Sequence, residues 1–138
     1  MRSRITLSLS ATLIALGISA CGGASAPAAQ SSYPAGDATK GQAIFQRGCA
    51  SCHATGTQKL VGPGLAGLFE PGGPTLPDGV DYGGKLGNGK PITEENVDAW
   101  IKSGGQGKIG VMPAKGVAPD ITDRDVVDLI AYLKTLKK

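Results

Sequence analysis

Cys49-Ala50-Ser51-Cys52-His53 is the stretch on which the reading turns, because it uses two of the three cysteines and the only histidine. The rest of the inventory is just as short: 138 residues, 2 Met and 22 Gly. That length suits one domain. A single histidine excludes a multi-histidine metal site and any mechanism needing two imidazoles. Three cysteines make neither a four-cysteine zinc site nor a dense disulfide framework. A thioredoxin-like redox pair expects a βαβ pattern that is missing around Cys49. Half a zinc site expects a second Cys/His pair, and none exists.

The reading left for C-x-x-C-H is covalent haem attachment. Each thiol adds to one haem vinyl group, giving two thioethers. Two intervening residues let both sulfurs reach adjacent pyrrole edges. The next residue then lies beneath the iron, where His53 offers Nε2 as proximal ligand. Met1 goes with a targeting segment, so Met112 is the one remaining methionine. It follows His53 by 59 residues, within Gly110-Val111-Met112-Pro113-Ala114. Pro113 fixes its own φ and restricts Met112 to extended conformations. The bland reading of Met112 is a core gap-filler.

These segments resemble class I cytochromes c. In that family a Met-Pro loop like Met112-Pro113 supplies the distal thioether. Gly62-Pro63-Gly64-Leu65 resembles the Gly-Pro-x-Leu turn on the histidine side, although Gly64 stands where Asn is common. The resemblance implies that the Pro63 carbonyl accepts a hydrogen bond from His53 Nδ1–H and so fixes the tautomer. On this reading the cofactor-binding residues are Cys49, Cys52, His53, Met112 and Pro63, and the metal ligands are His53 and Met112.

The N-terminus reads as an address. Arg2 and Arg4 precede Ile5–Ala20, sixteen residues without a charge. A basic start, a short apolar run and small residues at its end make residues 1–20 a signal peptide. The run falls short of the ~20 residues of a permanent membrane span. Ile18-Ser19-Ala20-Cys21 resembles the lipobox of bacterial lipoproteins. That resemblance implies cleavage before Cys21 and acylation of its sulfur and new amino group, with palmitate-type chains giving a stable anchor. Ordinary secretion, with a cut at Ala24-Ser25-Ala26, is the rival. Residues 21–36 are rich in Gly, Ala, Ser and Pro and carry no charge, which suits a flexible linker. The expected domains are thus 1–20, 21–36 and 37–138.

Charge adds little once this is allowed for. The whole chain has 14 basic and 11 acidic residues, a formal +3, with a pI near 8.8. Without Arg2 and Arg4 the balance is +1, which leaves no footprint for nucleic acid.

Three helices are expected. Asp37 caps Ala38–Arg47, with Gly41 and Phe45 on one face. Thr93 caps a middle helix whose stripe is Val97, Trp100 and Ile101, ended by Gly104-Gly105. Thr122-Asp123-Arg124-Asp125 resembles a capping box, followed by Val126, Leu129, Ile130, Leu133 and Leu136 at helical spacing. Lys134, Lys137 and Lys138 are placed in its final turns. In class I cytochromes c the first and last helices cross with a glycine and an aromatic meeting a Leu-x-x-aromatic. Gly41, Phe45, Leu129 and Tyr132 match that arrangement. Trp100 packs either on the haem or in ordinary core. Between His53 and the middle helix, Ala54–Ile92 holds 39 residues and eleven glycines. Such a length is odd in a compact domain unless a cofactor gives the loops something to cover. Within it, Glu70–Lys90 reads as an inserted loop or small hairpin, either a docking surface or variable surface.

The fold expected is all-α, with three main helices and long Gly-rich loops wrapped around one covalent haem c. The function implied is a membrane-anchored, extracytoplasmic electron carrier and not an enzyme. It would be a monomer cycling Fe(II)/Fe(III) between redox protein partners, in a respiratory or photosynthetic chain. Arg47, Lys59 and Lys115 are candidates for steering an acidic partner. Two alternatives stay open: an electron-transfer subunit of a larger oxidoreductase, and a small-ligand-binding haem protein with displaceable Met112.

Overall fold

The structure, a computed structural model, describes residues 31–115 and 118–138. The expected signal peptide, Cys21 and most of the expected 21–36 linker therefore lie outside the described residues. Three helices and one short hairpin follow in chain order: α1 (Ala38–Gly48), α2 (Glu94–Ser103), β1 (Gly105–Gly107), β2 (Gly110–Met112) and α3 (Asp123–Leu133). Among the described residues no helix is long and apolar enough to cross a membrane.

Each helix starts where a short polar side chain satisfies its first amide groups. Asp37 accepts from the Thr39 and Lys40 amides, and Thr93 from Asn96. At Thr122 the capping box is complete: its hydroxyl accepts from the Asp125 amide and the Asp125 carboxylate accepts from the Thr122 amide. Each cap satisfies amide donors that a helix N-terminus otherwise leaves to water. The α2 helix stops at Gly104, whose φ of 71° favours a residue without Cβ. The α3 helix ends earlier than its apolar spacing suggests. Lys134 is its cap, so Leu136, Lys137 and Lys138 lie beyond it. The lysines serve other elements instead: Lys134 pairs with Glu94 of α2, and Lys137 lies 3.9 Å from Glu70.

The core forms where α1 packs on α3, the most extensive helix contact, with α2 against α3 beside it. Phe45, Val126, Leu129 and Ile130 are its largest fully buried side chains. The expected crossing is present. A Cβ on Gly41 would overlap the Asp128 backbone and lie 2.7 Å from Tyr132 Cβ. Only glycine allows this approach. One turn further, the Phe45 and Tyr132 rings tilt against each other at 5.6 Å.

Asp128 lies in this seam at 3% exposure, a buried charge the sequence did not single out. Its carboxylate accepts from the Asp37 backbone amide (2.9 Å) and pairs with Arg124 (3.0 Å). A buried carboxylate is tolerable when paired in this way. It ties the cap residue of α1 to the middle of α3.

The hairpin is an addition to the three expected helices. It pairs Gly105 with Met112 and Gly107 with Gly110 in antiparallel register, through the two-residue turn Lys108-Ile109. It brings the Met112 carbonyl back beside Gly104, the C-cap of α2.

Candidate haem site

The Cys-x-x-Cys-His stretch leaves the C-terminus of α1 as a tight turn. The Cys49 and Ala50 amides both return to the Phe45 carbonyl, and the Cys52 and His53 amides to the Cys49 carbonyl (3.0 and 2.9 Å). Two thiols and an imidazole are thereby carried off one helix end within a single turn. Burial pushes the Cys49 thiol up to about 11, with the neighbouring Cys52 adding to the effect. As a free thiol it is therefore protonated at neutral pH.

The chain then comes back past the imidazole. The Gly62 amide donates to the Cys52 carbonyl (2.8 Å), and the Leu65 amide to the Ala54 carbonyl (2.9 Å). His53 Nδ1 lies 2.8 Å from the Pro63 carbonyl oxygen. A carbonyl only accepts, so Nδ1 carries the proton and Nε2 keeps its lone pair. Gly62 is required here: a Cβ would lie 2.9 Å from both ring nitrogens.

Cys49, Cys52, His53, Pro63 and Met112 all line one cavity of about 300 Å³. Five residues drawn from three distant parts of the sequence thus meet at one place. Most of the remaining wall is apolar, with Phe45, Leu68, Val97, Ile101 and Leu129 belonging to the core itself. Trp100 is half-buried against Gly105, where a Cβ would overlap its indole. Both expectations for Trp100 meet, since it lines the cavity and packs on the core.

The donor set suits haem. The macrocycle is flat and apolar with two carboxylates. The cavity is apolar, and the charged side chains on its lining are Lys85 and Lys115, with no acidic one among the described residues. Val61 and Val111 are exposed at 71% each and also line it, so the cavity opens to solvent through an apolar rim. Of the three steering candidates, Arg47 lies 4.0 Å from Asp120 and Lys115 is 3.6 Å from Asp123. Lys59 forms no ion pair among the described residues.

The Glu70–Lys90 segment, expected as a docking or variable surface, also contributes to the cavity. Pro74, Leu76, Tyr82, Gly84, Leu86 and Gly87 form a wall of the cavity, and Leu86 is buried in the core. Lys85 and Pro91 form an isolated antiparallel bridge at its end. Glycine at 87 lets this wall approach the hairpin, since a Cβ there would lie 2.8 Å from Gly107 Cα. The sequence signal for this role was slight: one aromatic, Tyr82, amid glycines.

Known proteins resemble this chain over the same region. The cytochrome c family profile matches residues 38–137. Cytochrome c-555 of Prosthecochloris aestuarii is 32% identical over 97 residues, which cover 70% of this chain and 85% of that protein. Cytochrome c of Tetrahymena pyriformis is 32% identical over 104 residues, 75% of this chain and 92% of that protein. Cytochrome c oxidase subunit 2 of Alkalihalophilus pseudofirmus is 35% identical over 103 residues, but these make up only 26% of that protein. With the attachment motif, the three helices and the cavity in agreement, the chain belongs to the cytochrome c family as a class I c-type cytochrome, an electron carrier built on covalent haem c.

Proposed function

We propose that this carrier works while tethered to a membrane outside the cytoplasm, with His53 and Met112 as its two axial ligands. The reading rests above all on His53: its Nδ1 is held by the Pro63 carbonyl at 2.8 Å, in the cavity that Met112 also lines. An imidazole with a fixed tautomer presents Nε2 to a metal without reorganisation. Cys49 and Cys52 would hold the haem, each through a thioether made by adding its S–H across one vinyl C=C. His53 and Met112 would hold the iron from the same cavity, and the haem would then supply outer-sphere electron transfer. A thioether ligand raises the potential relative to two nitrogen ligands.

The tether is Cys21, acylated after cleavage of residues 1–20, with residues 21–36 as the leash. Support comes from the apolar run ending Ile18-Ser19-Ala20-Cys21. The domain of residues 37–138 then acts as a monomer on the extracytoplasmic face. Cys21→Ser tests this. Expression in a lipoprotein-processing bacterium moves the variant from the membrane fraction to the soluble fraction, with its haem retained. A wild-type protein found soluble and cut at Ala26 supports ordinary secretion instead.

A second reading is a redox module docked within a larger oxidoreductase, favoured by the likeness to part of a cytochrome c oxidase subunit 2. Mild detergent extraction separates the two. The carrier migrates alone, whereas the module comes out with stoichiometric partner subunits.

A further inference from the structure

Lys108 occupies the turn between β1 and β2, and it grips the cavity wall in three ways, twice at Tyr82 and once at Asp81. Its backbone amide donates to the Tyr82 hydroxyl. Its ammonium donates to the Asp81 carbonyl at 2.8 Å and stands 5.7 Å from the centre of the Tyr82 ring. Gly107 leaves room for this contact, since a Cβ there would meet the Tyr82 hydroxyl. The hairpin's other end is Met112, paired with Gly105. Beyond Met112 the chain is fixed again, by the Lys115 amide on the Ile101 carbonyl (2.5 Å). Lys115 is also the one non-glycine residue with positive φ (51°) among those described. The segment carrying Met112 is therefore held at both ends. Its far anchor is α2, a regular helix; its near anchor is the Gly-rich cavity wall.

We propose that Lys108 and Tyr82 are positioning residues that latch the β1–β2 hairpin, and Met112 with it, to the cavity wall. The proposal rests on Met112 being the distal ligand. Short strands of three residues, three of the six being glycine, have little stiffness of their own. Releasing the turn lets the hairpin swing, and thioether dissociation from the iron then costs less. The latch thus sets how readily an external ligand displaces Met112, without touching the iron. It also assigns a task to the Glu70–Lys90 segment: its Tyr82 braces the ligand arm.

The experiment is imidazole titration of the ferric holoprotein, followed by loss of the far-red thioether-to-iron absorption band. Tyr82→Phe removes the acceptor for the Lys108 amide and keeps the ring. Lys108→Met keeps the stem and removes the bond to Asp81 and the cation. Each variant is expected to bind imidazole more tightly, by roughly fivefold for Tyr82→Phe, the scale of one lost hydrogen bond. The pair acts as one device, so the double variant gains less than the product of the two single effects. Thr122→Ala, remote from the latch, lowers the unfolding midpoint and leaves imidazole affinity unchanged, which separates positioning from general stability. Single variants within twofold of wild type, with the far-red band present, overturn the latch alone. A wild type lacking the band overturns the Met112 assignment, and the latch falls with it. If Tyr82→Phe fails to fold, Lys108→Met decides the outcome by the same titration.

Discussion

At the scale of single residues, the cysteines and His53 have separable tasks. Replacing Cys52 by Ala leaves one thioether, so haem still stains after denaturing electrophoresis. The visible band then moves to the red, because one vinyl group stays conjugated with the ring. Replacing both cysteines abolishes the stain. Gly62→Ala probes the imidazole directly: its new methyl would lie within contact of both ring nitrogens. The ring must turn away from the Pro63 carbonyl, and haem incorporation falls. These roles were legible in the sequence because scarcity left few competing ligands: one histidine, and one methionine besides Met1. Asp128 was not legible. A carboxylate between apolar helix positions reads as solvent-facing, and only the close approach at Gly41 buries it.

The elements show how the site is held. Because the α1–α3 seam admits no side chain at position 41, Gly41→Val forces the helices apart and destabilises the fold by about 1–3 kcal/mol, measured by denaturant unfolding. Loss of the α3 cap in Thr122→Ala lowers stability by about 1 kcal/mol in the same measurement. The capping box also has a pH signature. Hydrogen bonds from the Thr122 side chain and backbone hold the Asp125 carboxyl below its usual range. A depressed carboxylate adds stability above its unfolded pKa of about 3.9, and loses it as pH falls through the folded value. Asp125→Asn therefore flattens the stability profile below about pH 4 and leaves its slope near neutrality unchanged. Because Asp125 is only half-buried and solvent screens its charge, the change is small. All three caps could be read from Asp37, Thr93 and Thr122. The hairpin could not, because Gly105-Gln106-Gly107 has no alternating apolar pattern and is held by its register and by Tyr82. The end of α3 was overestimated for a related reason: Leu136 keeps its core contact after the helix has stopped.

Over the whole molecule, the cavity and the core are one object. The side chains joining α1, α2 and α3 also line the haem cavity, so the cofactor completes the core. This accounts for the long stretch between His53 and α2, whose loops cover haem surface where a cofactor-free domain would need another helix. The sequence reading left Glu70–Lys90 undecided because glycine-rich loops look alike whether they face solvent or a ligand. Their apolar members, Leu76 and Leu86, face the cavity. The central claim is that this cavity holds a haem iron between His53 and Met112. Ferric and ferrous optical spectra of the wild type and of Met112→Ala test it most directly. The wild type is expected to be low-spin in both states with a far-red band when ferric, and Met112→Ala to lose that band and become high-spin or take an added ligand. A ferric spectrum identical in the two proteins would contradict the account.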